Sequence, residues 1–238
     1  MPEPVQAGLW GALAASALVL GSVVALALPV PRRIVALVMA FGAGALVSAL
    51  SFDLADEAFR VGGTLVFGLG MAAGAVVYYA GDKLIDRLSM GAPHRQTNGP
   101  AIVLGVLLDG IPESLVLGAT LIGGAGVSPS FLAAVVVSNF PEGLAGTSDL
   151  VEEGHRPRWI IGLWIVVVIA SGLVAALSNL VFTGMDPTTL ALAQSFAAGA
   201  IITMLANTMF PEAFESGGDR VGLATALGFA AAFLLSRT

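Results

Sequence analysis

Apolar runs of bilayer length constrain this chain more than any other feature. They recur from end to end, each near the ~20 residues an α-helix needs to cross ~30 Å of hydrocarbon. Hydrocarbon offers the backbone no hydrogen-bonding partner, so each run must satisfy its own amides as a helix. Composition agrees, with 57% hydrophobic residues and only 11% charged, against about 25% charged in ordinary soluble domains. There is no cysteine, hence no disulfide framework and no thiolate metal site. Nothing in the charge pattern points to nucleic acid. The N-terminal stretch Met1–Gln6 has no Lys or Arg and so lacks the basic region of a signal peptide. The first apolar run is therefore expected to stay as a spanning helix.

The expected fold is an all-α membrane protein with eight spans, at about 7–29, 34–55, 62–82, 99–123, 130–150, 159–183, 188–210 and 218–236. Pro29, Pro31, Arg32 and Arg33 close the first run, and the polar segment 82–100 is the long loop, its cytoplasmic part at 83–98. With the N-terminus outside, cytoplasmic segments hold Arg32, Arg33, Lys83, Arg87, Arg95, Arg156, Arg158 and Arg220, leaving Arg60 and Arg237 outside. The positive-inside rule then places both termini outside the cytoplasm of a cell membrane, the inner one in a bacterium.

An internal repeat is visible. Phe41-Gly42-Ala43-Gly44-Ala45, Glu57-Ala58-Phe59 and Gly62-Gly63 align with Phe196-Ala197-Ala198-Gly199-Ala200, Glu212-Ala213-Phe214 and Gly217-Gly218, with 10 identities in 23 positions at a constant offset of 155. Span 2 runs outward and span 7 inward, so the two triplets are expected to be inverted copies. Spans 4 and 5 align on Gly110-Ile111-Pro112-Glu113 and Asn139-Phe140-Pro141-Glu142. The layout is three plus two plus three in a single transmembrane domain, the pattern of secondary transporters.

Two runs carry a carboxylate directly after a proline. A charge near the centre of a bilayer costs about 3 kcal/mol on insertion scales, and proline removes the hydrogen bond to the residue four back. The carbonyls of Leu108 and Val137 are released in this way. Asp109 and Glu113 lie four apart on one face of span 4, and Asn139 and Glu142 three apart on one face of span 5. Facing each other, they offer three carboxylates and an amide, oxygens suited to hard and borderline divalent cations. No Lys, Arg or His lies within either span to pair with them. The alternative is that the acids stay protonated and hydrogen-bond between helices.

The Pro-Glu motifs on spans 4 and 5 of an eight-helix chain resemble the ZIP (Zrt/Irt-like) metal transporters. That family's span 4 motif, His-Asn-x-Pro-Glu-Gly, is matched by Asp109-Gly110-Ile111-Pro112-Glu113-Ser114, and its span 5 motif by Asn139-Phe140-Pro141-Glu142-Gly143. The resemblance implies a metal site between spans 4 and 5, with metal moving toward the cytoplasm. It also implies an elevator-like shift of spans 1, 4, 5 and 6 against 2, 3, 7 and 8. Asp109 takes the place of the histidine ligand, Glu113 and Glu142 match two glutamates able to bridge metals, and Asn139 matches the first residue of the span 5 motif. Gly110 replaces an asparagine ligand, so one strong site is favoured over two. Zinc is the first expectation as substrate through the family, while an oxygen-only site leaves Mn²⁺ or Fe²⁺ open.

Pathway candidates are Asp53 near the outer entrance, Asn207 at matching depth in span 7, Ser138, and Asp149 toward the exit. Glu212 and Glu215 stand at the cytoplasmic end of span 7. His94 is a candidate for a weak cytoplasmic acceptor. No cofactor is expected beyond the transported cation, and a homodimer is left open. The chain has no His-Glu-x-x-His and no paired Tyr-Asp and Gly-x-Gly-Asp motifs, so an intramembrane enzyme is not expected. Two other readings keep the fold: a proton- or sodium-coupled carrier of another solute, and a membrane metal sensor.

Overall fold

A computed structural model describes residues 1–89, 99–122 and 126–237. Among these the chain is all helical, with no strand. The helices are α1 (Glu3–Ala27), α2 (Arg32–Ala49), α3 (Asp56–Ser89), α4 (Gly99–Ala119), α5 (Pro129–Glu152), α6 (Pro157–Phe182), α7 (Pro187–Met204), α8 (Phe210–Gly217) and α9 (Arg220–Leu235). Two π-helical segments interrupt them, Leu50–Ala55 between α2 and α3 and Leu205–Met209 between α7 and α8. Among the described residues, four helical stretches are long and apolar enough to cross a membrane: Glu3–Ala27, Arg32–Arg87, Pro157–Phe182 and Pro187–Gly217. α5 is long enough at 24 residues, but Ser138, Asn139, Pro141 and Glu142 dilute its apolar character. α3 continues to Ser89, past the expected end of span 3, and Lys83 pairs with Asp86 at 2.7 Å on this polar extension. Arg95, His94 and the rest of 90–98 lie outside the described residues.

Local chemistry explains where the helices stop. Pro31, Pro129, Pro157 and Pro187 stand at helix starts, where the missing N–H has no intrahelical partner to lose. Asp186 caps α7 by accepting from the amides of Thr188 and Thr189, both at 3.0 Å. Gly63 kinks α3 at φ 69, ψ −177, and Gly218 separates α8 from α9 at φ 60, ψ −148. Nothing would crowd a Cβ at either position; the dihedrals themselves are nearly restricted to glycine.

Both the π segments and these glycines recur at the spacing of the sequence repeat, Leu50 with Leu205 and Gly63 with Gly218. Helix pairing follows the same exchange. α2 packs on α9 while α7 packs on α3; α1 packs on α6 and α5 while α6 packs on α1 and α4. The crossings are close because small residues meet backbone. A Cβ at Gly44 would fall 2.0 Å from the Thr225 carbonyl, and one at Gly199, its repeat partner, 2.1 Å from that of Met71.

Small side chains fill much of the interior beside large ones such as Trp164 and Phe131, while many other large apolar side chains point outward. Ala40, Ala43, Ala197 and Ala198 are fully enclosed, whereas Val166, Ile169, Leu173, Leu177 and Leu180 of α6 are exposed. Association of helices in hydrocarbon depends on such close packing, because apolar burial supplies no driving force there.

Candidate functional site

α4 and α5 carry the proline-glutamate pairs, with Pro112 and Pro141 inside otherwise continuous helices. α1 touches both helices, and α4 and α5 meet each other only sparingly. Close contact between α1 and α5 depends on glycine, since a Cβ at Gly143 would fall 2.2 Å from the Leu18 carbonyl and one at Gly21 2.1 Å from that of Phe140. On the other side of α5, Gly42 of α2 lies against the Val137 carbonyl, one of the two that proline releases.

Glu113 and Asn139 come together. Both are buried, at 4% and 5% exposure, and both line a cavity of about 10 Å³ walled by α1, α4, α5 and α6, roughly the size of one water. Asn139 Nδ2 donates to the Ala14 carbonyl at 3.2 Å, which leaves its amide oxygen for another partner. Glu142 Oε1 is buried without a hydrogen bond. Asp109, Glu113 and Glu212 all lie within electrostatic range of Glu142.

Asp109 is turned to a different set of partners. It accepts from the hydroxyl of Tyr78 on α3, which also contacts Thr208 Oγ1 at 3.3 Å. Among the described residues no three Asp, Glu or His side chains stand close enough together to hold a metal ion. Asp109, Glu113 and Glu142 thus share one region of the interior without forming a finished coordination shell. Tyr78 is absent from the sequence-based set of site residues. Its partners Asp109 and Thr208 lie 31 and 130 residues away, and no local spacing signals them.

The pathway candidates divide by location. Asp53, in the first π segment, accepts from Ser128 Oγ at 2.9 Å and from Ser130 Oγ, where Ser128 is the N-cap of α5. Ser138 is buried but donates back to the Val135 carbonyl at 3.0 Å within its own helix. Asn207 Nδ2 donates to Asp82 Oδ2 at 3.4 Å at the surface. Asp149 lines a cavity of about 250 Å³ with Glu212, Glu215, Ser148 and Arg32. Arg32 reaches across this cavity to Glu152 at 2.7 Å and Asp149 at 3.6 Å. Asp149, Glu212, Glu215 and Arg32 are all expected on the cytoplasmic side from the positions of Lys and Arg. Glu142, Ala145 and Asp149 lie along one face of α5, so the cavity stands at the end of the stripe that begins with Glu142.

Ion pairs among the described residues join Arg32, Arg60, Lys83 and His155 to acids at helix ends. None reaches Asp109, Glu113 or Glu142. What this arrangement can do chemically is present carboxylate oxygen to a mobile positive charge.

No family model matches the chain. It is similar to an Arabidopsis thaliana protein whose name gives it as a candidate zinc transporter, with 25% identity over 202 residues. The aligned part is 82% of this chain and 32% of the relative, so the chain spans about a third of that protein's length.

Proposed function

We propose that this chain is a transporter of divalent metal cations, of ZIP-like architecture, which crosses the cell membrane eight times with both termini outside the cytoplasm. The observation that carries the reading is the group of interior carboxylates, Asp109, Glu113 and Glu142, for which no described basic side chain provides a counter-charge. An uncompensated charge in a membrane interior is costly, and a passing cation removes that cost.

Glu113, Glu142, Asp109 and the free oxygen of Asn139 supply the ligands in this reading. An all-oxygen set accepts Zn²⁺ and equally Mn²⁺ or Fe²⁺. Zinc is the first choice because of the similar protein's name. The cavity lined by Asp149, Glu212 and Glu215 is the cytoplasmic exit, and flux runs toward it. Three features support an inverted three-plus-two-plus-three repeat: the 155-residue recurrence of the π segments, that of Gly63 and Gly218, and the exchanged helix pairings. The moving body is α1, α4, α5 and α6, and the frame is α2, α3, α7, α8 and α9.

The test is uptake of Zn²⁺ and Mn²⁺ into vesicles reconstituted with the purified protein, alongside binding measured by calorimetry. Saturable uptake is expected for the native chain. Glu142→Gln should abolish binding and uptake while leaving the helical circular dichroism unchanged. Uptake of another solute driven by a pH gradient, indifferent to metal, would replace this reading with that of a proton-coupled carrier.

A further inference from the structure

The turn between α5 and α6 holds a carboxylate that the transport reading does not use. Glu153 is the C-cap of α5, and Gly154 follows it at φ 86. The His155 amide donates back to the Leu150 carbonyl at 3.0 Å, and the Gly154 amide to that of Val151 at 2.9 Å. This is the paired closure that a left-handed glycine permits at a helix end. It stands the side chains of Glu153 and His155 together before Pro157 starts α6.

The Glu153 side chain is only 10% exposed, and neither of its carboxylate oxygens has a hydrogen-bonding partner. None of the described Lys or Arg side chains pairs with it. A covered acid in this condition is costly unless a positive charge joins it. His155 Nε2 stands 3.4 Å from Glu153 Oε2, longer than the about 2.7–3.2 Å usual for an N–H···O bond. The imidazole lies flat on the indole of Trp159, with ring centroids 4.3 Å apart and planes at 13°. Stacking fixes the ring, yet the histidine side chain stays 32% exposed.

Imidazole is largely neutral at neutral pH, where its nitrogen offers a lone pair and no charge. A cation bound by that nitrogen and the carboxylate together supplies what Glu153 lacks. Nitrogen and oxygen ligands of a tetrahedral ion lie about 2.0–2.2 Å from it, and hence roughly 3.4 Å from each other. The separation in the turn is of this size.

We propose that Glu153 and His155 form a second cation site, at the cytoplasmic turn between α5 and α6, that takes Zn²⁺ in preference to harder divalent ions. Water entering along the exposed side of the imidazole fills the remaining positions. The nitrogen ligand is what separates this site from the interior carboxylates, because imidazole suits Zn²⁺ and all-oxygen sets suit Mg²⁺ and Mn²⁺. Asp149, one turn back on α5, lies within electrostatic range of Glu153 and also lines the larger cavity. Binding at the turn stands without the transport reading; only its placement beside an exit rests on it.

The experiment uses the full chain in detergent with His94→Gln, which makes His155 the sole histidine. Isotope-labelled histidine is followed by magnetic resonance at neutral pH, with Zn²⁺ and then Mg²⁺ as probes. Zn²⁺ should shift the ring nitrogen signals saturably, and Mg²⁺ should not. Glu153→Gln keeps the size of the side chain and removes its charge. It should weaken the Zn²⁺ response about tenfold or more, as loss of even an outer partner of a metal ligand does. The response should persist in Glu142→Gln, where interior binding is lost. Signals that Zn²⁺ leaves unmoved, or a response indifferent to Glu153→Gln, overturn the site and reduce the pair to an ion pair of the protonated imidazole. Uptake by the native chain would then still carry the transport reading. Absence of uptake with the His155 response intact overturns transport and leaves this site standing.

Discussion

The two π-helical segments are the same backbone device put to different uses. Leu50–Ala55 and Leu205–Met209 begin 155 residues apart, so Asp53 in the first corresponds to Thr208 in the second. Asp53 reaches Ser128 and Ser130 at the start of α5 and ties down a helix end. Thr208 reaches Tyr78 and, through it, Asp109 at the middle of α4. π turns often mark functional sites because the inserted residue re-aims a side chain. Here the re-aimed group is an acid that fixes a helix terminus in one copy and a hydroxyl that braces an interior carboxylate in the other. One copy serves anchorage and the other faces the candidate site.

The glycines that follow the two π segments offer the strongest challenge to this comparison. Gly63→Ala and Gly218→Ala place a Cβ in open space but in a backbone region nearly closed to other residues, at about 1–3 kcal/mol each. Similar losses of thermal stability from both are expected if the kinks are equivalent. A large loss from one and none from the other would break the equivalence.

An effect of similar or smaller size separates anchorage from site. Asp53→Ala removes the acceptor of two serine hydroxyls and should cost about 2 kcal/mol, read as a lower unfolding temperature, with metal affinity unchanged within about twofold. A loss of affinity comparable to that of Glu142→Gln would instead make Asp53 part of the binding machinery.

The smallest effect concerns a cap with no π segment nearby, which serves as a reference. The Thr189 hydroxyl, then the Thr189 and Thr188 amides, hold the Asp186 carboxyl below its usual range. A group depressed in the folded state stabilises above its unfolded value, near 3.9, and loses that contribution as pH falls through its lower folded value. The unfolding temperature of native protein should therefore approach that of Asp186→Asn as pH is lowered from about 5 toward 2. A constant gap across that range would show that the charge of Asp186 contributes nothing.

Much of the fold could be read from residues alone, and much of the site could not. Proline positions and apolar run lengths marked most helices to within a few residues, because those signals act over one or two turns, whereas α3 extends beyond its expected span at both ends. The repeat was visible in Phe41, Gly44, Glu57 and Gly63 and their partners 155 residues on, and the π segments and kinks follow it. The four-residue spacing of Asp109 and Glu113 put them on one face, yet they have different neighbours, Tyr78 for the first and the cavity beside Asn139 for the second. Asp53 is placed near the outer entrance by its position late in span 2, and its partners Ser128 and Ser130 lie 75 and 77 residues away. No local pattern carries that information.

Hydropathy and proline placement settle where most of this chain is helical and which acids fall within apolar runs, since each is a property of a few adjacent residues in a given solvent. The partner each buried acid takes is settled by how the helices cross. Tyr78 and Asp109 are 31 residues apart, and Asp53 and Ser128 75 apart. Such pairs meet only because glycine and alanine let particular helices approach to backbone contact, and that distance exists only once the whole bundle has assembled.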